Sequence, residues 1–169
     1  KKKAANLNNT SGKTDFMASW SQLRDELPRC RAVSLVVSWF GDDLRCGQCS
    51  LRPMVEQNDF DGDGMPWSVS GLSRGQARLV PQSDGRPVYG GTPTDRAVIQ
   101  AIQRMRGQNR AVNFYPFILM TQMEGNGLTD PWSGAGDQPH LPWRGRITTH
   151  KAPGRGGTPD RTSGADDQV

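Results

Sequence analysis

Apolar residues are scarce in this chain: they make up 34% of its 169 residues. Its 20 glycines and 12 prolines exceed the usual share of about 12%, yet fall short of the roughly 25–30% typical of disordered chains. A small ordered kernel carrying long loops is the expected result. No apolar run approaches the ~20 residues that a membrane-crossing helix requires, which excludes such a helix, and no signal-peptide pattern is present. The three cysteines are an odd number, which argues against a closed disulfide framework. Charge of one sign is also thinly spread. The net +4 rests on dispersed arginines plus Lys1–Lys3. No helix face collects basic residues between aromatics, so nucleic acid is not an expected partner.

What the chain does have is two apolar stretches, AVSLVVSWFG at Ala32–Gly41 and AVNFYPFILM at Ala111–Met120. Neither alternates apolar with polar along its length, so each reads as a strand of a mostly parallel sheet buried on both faces. Lys1–Lys13 is polar and basic and reads as a disordered linker. A helix is expected at Trp20–Leu27, capped by Ser19 and stopped by Pro28. Gly41–Gly75 is a long loop. Trp67–Val69 and Ala77–Val80 are short strand candidates, and the turn Asp84-Gly85-Arg86-Pro87 would pair Ala77–Val80 with Val88-Tyr89. Thr92-Pro93 or Thr94 starts a second helix through about Arg106, with Val98, Ile99, Ile102 and Met105 at helical spacing and Gly107 as its end. A second long loop, Thr121–Arg146, follows the second strand, and Thr158-Pro159 opens a further helix candidate. The pattern is a βαβ unit with insertions. The chain starts at three lysines without a methionine and reads as an excerpt, its missing sheet partners expected beyond Val169.

Several blocks resemble the TIM-barrel-like, glycoside-hydrolase-like domain of gene-transfer-agent and tailed-phage tail or baseplate proteins. They are SLVVSWFGDDLRCGQC at Ser34–Cys49, GRPVYGGTPTD at Gly85–Asp95, Val112–Met120 with GNGLTDP at Gly125–Pro131, PWRGRI at Pro142–Ile147 and APGRGGTPDR at Ala152–Arg161. The resemblance implies an α/β fold: residues 14–169 would be the N-terminal portion of such a barrel, about two βα units of eight, truncated at its C-terminus. It also implies a virion component made in the bacterial cytoplasm. Its partners would be other tail or baseplate proteins and a cell-surface or cell-wall polysaccharide, with no cofactor. An active glycosidase degrading an envelope glycan is the alternative, and a cysteine-dependent metal-binding module is another.

Chemistry in such architectures gathers at the carboxyl ends of strands. Asp42 and Asp43 after the first stretch, and Glu124 and Asp130 after the second, are the candidate catalytic carboxylates. Glycosidic cleavage needs two carboxyls, about 5–5.5 Å apart for retention or roughly 6.5–9.5 Å for inversion. Loop carboxylates also cap turns, and that reading stays open for all four. The fragment is not expected to hold a complete catalytic site. Trp132 and Trp143 could stack on sugar rings, and Arg144 and Arg146 could bind acidic sugar groups or anchor the loop. Cys46-Gly47-Gln48-Cys49 has the spacing of half a zinc site or a redox dithiol, and three readings stay open for the pair: metal, a disulfide, or loop-packing thiols. Asp59–Gly64 opens like a calcium loop, but Ser70 stands where the bidentate glutamate belongs, so an acidic surface turn is preferred.

Overall fold

The computed structural model describes residues 6–142 and 147–169. Three α-helices are present among them: α1 (Asp15–Glu26), α2 (Asp95–Arg106) and α3 (Ser163–Asp166). Two strands are long, β1 (Ala32–Gly41) and β9 (Ala111–Met120). Seven are only two residues each: β2 (Leu51–Arg52), β3 (Met54–Val55), β4 (Ser68–Val69), β5 (Leu72–Ser73), β6 (Arg78–Leu79), β7 (Gln82–Ser83) and β8 (Arg86–Pro87). Among the described residues, no helix is long and apolar enough to cross a membrane.

β1 and β9 lie side by side in a three-stranded sheet of order β2-β1-β9. Ala111 N–H donates to Arg31 O at 2.8 Å and Thr121 N–H to Gly41 O at 3.0 Å. The sequence offset is the same at both ends, so the two strands run in the same direction. β2 closes the other edge antiparallel to β1, pairing Phe40 with Arg52 and Gly41 with Leu51. Pro116 stands midway along β9, where an outer strand tolerates a residue without an N–H.

The expected N-terminal portion of a TIM-barrel-like domain is overturned. Among the described residues the fold is a mixed α/β arrangement of mostly very short strands in four separate sheets. The sequence of strand, helix and parallel strand occurs once, through β1, α2 and β9, and the described residues hold no repeat of it. After β1 the chain turns back antiparallel as β2 rather than crossing over, and among the described residues β9 is followed by loop, a single parallel bridge of Thr148 to Arg45 and the one turn of α3.

Burial of the long strands on both faces is also corrected. Only their C-terminal ends are enclosed, and Val36, Phe114 and Tyr115 are 51%, 48% and 49% exposed. The first helix begins earlier than expected. Thr14, not Ser19, is its N-cap, accepting from Met17 N–H at 3.4 Å. Within the expected linker, Asn8 and Asn9 reach the Asp15 carboxylate at 2.7 and 2.8 Å. α2 has the expected limits, with Thr94 before it and Gly107 after it. It buries Ala101 and Met105, while Ile99 is 53% exposed.

Two tight hairpins replace the expected one. Asp84 and Gly85 both take left-handed φ, 50° and 71°, the geometry of a two-residue turn that must pair its immediate neighbours. β7 therefore pairs with β8, and β6 lies parallel to β3 instead of against Val88-Tyr89. Ser70-Gly71 makes a second such turn, φ 48° and 83°, joining β4 to β5.

The chain divides into two compact units: Lys1–Val37, Gln57–Ala77 and Pro93–Tyr115 in one, Ser38–Glu56, Arg78–Thr92 and Pro116–Val169 in the other. The first has a helix-on-strand core of Trp20, Ala101 and Met105, packed by Leu23, Val33, Leu35 and Val112. Trp20 Nε1–H also donates to Gln108 at 2.6 Å. The second has a core of Phe40, Met54, Val80 and Leu119, with Tyr89 and Phe117 against it.

Candidate functional site

Three loops of the second unit meet after the C-terminal end of β1. Cys46 N–H donates to Thr148 O and Thr148 N–H to Leu44 O, both at 2.7 Å, which brings the segment after residue 147 against the loop following β1. Ala152, fully buried, donates from its N–H to Pro131 O at 2.9 Å and ties the same segment to the loop following β9.

The joint is polar. Asp43 is 4% exposed and Gln138 2%. Asp43 accepts from the Arg45 side chain at 2.9 and 2.6 Å, a bidentate pair, and from Arg45 N–H at 2.8 Å. Gln138 uses its whole hydrogen-bonding capacity. Its oxygen accepts from Leu44 N–H at 3.0 Å and Gln122 Nε2 at 2.8 Å, and its nitrogen donates to Asp43 at 2.8 Å and Thr129 O at 3.1 Å. A buried primary amide satisfied on all four positions fixes the loops it joins. Burial pushes the Asp43 carboxyl up. The bonds from the Arg45 side chain and backbone and from Gln138, with the Arg45 charge, outweigh it and hold the carboxyl below its usual range.

The other candidate carboxylates differ in placement. Asp42 accepts from Ser50 N–H at 2.7 Å and shapes the loop after β1. Asp130 is buried and accepts from Trp132 N–H at 3.3 Å, Ser133 N–H at 2.9 Å and Ser133 Oγ at 2.6 Å, the hydrogen bonding of a loop cap. Glu124 is exposed in a turn. Asp43 and Asp130 are thus brought to the same joint, but their oxygens are engaged in holding it. Trp143, Arg144 and Arg146 lie outside the described residues.

Trp132 lines a cavity of about 560 Å³ beside this joint, with Arg45, Ser133, His150, Lys151 and Arg155 among its other walls. The wall carries Lys151, Arg155 and Arg45, the last held by Asp43, and one carboxylate, Asp130, which is engaged by Ser133. Among the described residues, neither Lys151 nor Arg155 pairs with a carboxylate, and both are exposed. Lys151 Nζ donates to Gly156 O at 3.2 Å. His150 is gripped by Gln168, whose oxygen accepts from His150 N–H and whose nitrogen stands 2.8 Å from Nδ1. An Nδ1 that accepts from this amide leaves the ring proton on Nε2.

His150, Lys151 and Arg155 did not stand out as site residues in the sequence. The only trace was a short basic, glycine-rich segment, and nothing linear linked it to Trp132. Gln138 left no trace at all. Cys46 and Cys49 flank a 3-10 turn, Cys46–Gln48, and both are free thiols. Among the described residues, no group of three or more His, Cys, Asp or Glu side chains could hold a metal ion, so the cysteine pair finds no third ligand there. In the calcium-like segment, Asp61 accepts from Gly62 and Trp67 N–H groups at 2.9 Å and pairs with Arg74 at 3.3 Å. It is the anchor of a surface turn.

The site can hold a ligand that offers negative charge to the basic wall and a flat face to Trp132. No protein-family model matches the chain, and no curated protein matches it.

Proposed function

We propose that this chain is part of a tail or baseplate component of a phage or gene-transfer-agent particle, and that its Trp132 cavity binds an acidic polysaccharide of the bacterial envelope. The particle assignment rests on the resemblance of the blocks at Ser34–Cys49, Gly85–Asp95 and Ala152–Arg161 to that family. The ligand assignment rests on one observation. A half-buried tryptophan shares a cavity of about 560 Å³ with Lys151 and Arg155, neither paired with a carboxylate among the described residues, while Arg45 there is held by Asp43 and the Asp130 carboxylate by Ser133. Aromatic faces suit pyranose rings, and a guanidinium and an ammonium suit carboxylate or sulfate substituents. Binding is favoured over glycosidic hydrolysis because Asp42, Asp43 and Asp130 are each committed to backbone or side-chain partners that hold the loops.

The test is calorimetric titration of the chain with polygalacturonate, an acidic polymer, and with dextran, a neutral one. Polygalacturonate should bind, weakening as salt rises through screening of the cationic wall. Trp132→Ala should lower its affinity at least about tenfold, equivalent to ~1.4 kcal/mol. Equal binding of dextran, or no binding of polygalacturonate, removes the reading. Release of reducing ends from the polymer would favour the hydrolase instead.

A further inference from the structure

The turn that brings Arg45 and Gln48 to the cavity wall carries a thiol at each end. Cys46 opens it and Cys49 closes it, with Cys49 N–H directed to Arg45 O at 3.0 Å and Cys46 O at 3.3 Å. A backbone bond between residues three apart marks a turn whose end Cα atoms lie within about 7 Å. Winding at three residues per turn also places side chains three apart on one side. A disulfide requires Cα atoms about 4.4–6.8 Å apart. Both sulfurs are free and half-buried, within reach of a small reagent. Cys30, the remaining thiol, sits in the turn between α1 and β1 with its sulfur 3.2 Å from Ala32 O.

We propose that Cys46 and Cys49 form a reversible intrachain disulfide by exchange with a low-molecular-weight disulfide. The Cys46 thiolate attacks one sulfur of the reagent, forming a mixed disulfide and expelling one thiolate. The Cys49 sulfur then attacks Cys46 Sγ and expels the second. Two protein thiols and one reagent disulfide become one protein disulfide and two reagent thiols, the cysteine pair supplying both electrons. Cys49 suits the second step. Its sulfur lies beside Gly41, in the space a side chain there would need and which Met120 also borders. Burial pushes the Cys49 thiol up, more than the neighbouring Asp43 and Asp42 N–H groups lower it. Its attack still goes through the thiolate, the proton passing to solvent or to an expelled reagent thiolate; what favours it in the second step is that the sulfur it meets is held only three residues away. The closed bond pins the turn that carries Arg45 and Gln48, whatever ligand the cavity takes.

The test uses the reduced full chain and its Cys30→Ser variant, each treated with oxidised glutathione and then freed of it. In the variant, free thiols should fall from two to none, and the mass should fall by two hydrogens with no glutathione attached. In the unmodified chain one thiol should remain, and the peptide spanning residues 46–49 should carry the crosslink. That second measurement decides the matter if the variant does not fold. Retention of both thiols, a lasting glutathione adduct on either cysteine, or chains joined to one another would overturn the proposal.

Discussion

The two compact units are held together by different means. In the first, two helices and the early parts of β1 and β9 pack apolar side chains around Trp20, Ala101 and Met105. The second has its own apolar cluster around Phe40 and Leu119. Beyond that cluster it relies on a buried carboxylate and two buried amides, Asp43, Gln122 and Gln138, to join loops that have no regular structure. Apolar packing tolerates changes of pH and is damaged by lost volume. A buried polar joint is damaged by the loss of any one partner, because the others are left desolvated.

Substitutions at three positions sharpen that contrast, taken from the largest effect down. Trp20→Ala empties the centre of the helical unit and removes the bond to Gln108; it should cost about 4 kcal/mol, read as a shift of the denaturant midpoint. Its cost should stay constant across acidic and neutral pH. Asp43→Ala should cost about 3 kcal/mol, the lower end for breaking a buried pair, because Arg45 keeps some contact with water. Here pH matters, and the sign follows from a carboxyl whose folded value is depressed. The stabilisation is present in full above the unfolded value of about 3.9 and is lost as pH falls through the lower folded value. Asp43→Asn should remove that part of the acid sensitivity, measured as unfolding free energy against pH; an unchanged profile would assign the acid response elsewhere. Gly71→Ala comes last. Open space surrounds that position, but its φ is +83°, so the expected cost is about 1 kcal/mol of backbone strain alone. A loss several times larger would mean that the β4–β5 hairpin carries more of the unit than its two-residue strands imply.

Legibility in the sequence follows the same divide. α2 was legible to within a couple of residues: Gly107 beyond the last arginine marked its end, while Thr92-Pro93 and Thr94 competed for its start, which fell at Thr94, its hydroxyl bonded to Ser68 rather than to the helix. β1 and β9 were visible as apolar runs, and their common direction followed from the helix between them. Their burial was not legible. An apolar run reports only what a strand is able to bury, and Val36, Phe114 and Tyr115 remain largely exposed here. The extension of a single βαβ unit into part of a barrel failed for a related reason: one crossover does not determine whether others follow. The start of α1 was missed because Thr14 and Ser19 are both competent caps, and the choice between them was made by Asn8 and Asn9 folding onto Asp15. At the site, Trp132 was legible as an aromatic in a loop. Of the basic residues that share its cavity, Arg45 lies far earlier in the chain and His150, Lys151 and Arg155 some twenty positions later, and the contacts that unite these segments, Thr148 with Leu44 and Ala152 with Pro131, are backbone hydrogen bonds that no side-chain pattern encodes.

Pro116 has a bearing on how this protein behaves at high concentration. Ala111 and Thr121 turn their N–H groups inward to β1, and donors alternate sides along a strand, so residue 116 faces the open margin of β9. A proline there leaves a gap in the row of donors that a neighbouring molecule would need for edge-to-edge growth. The interruption falls directly after Phe114 and Tyr115, the greasiest exposed pair on that strand, and so guards the chain against sheet-like aggregation where its surface most invites it.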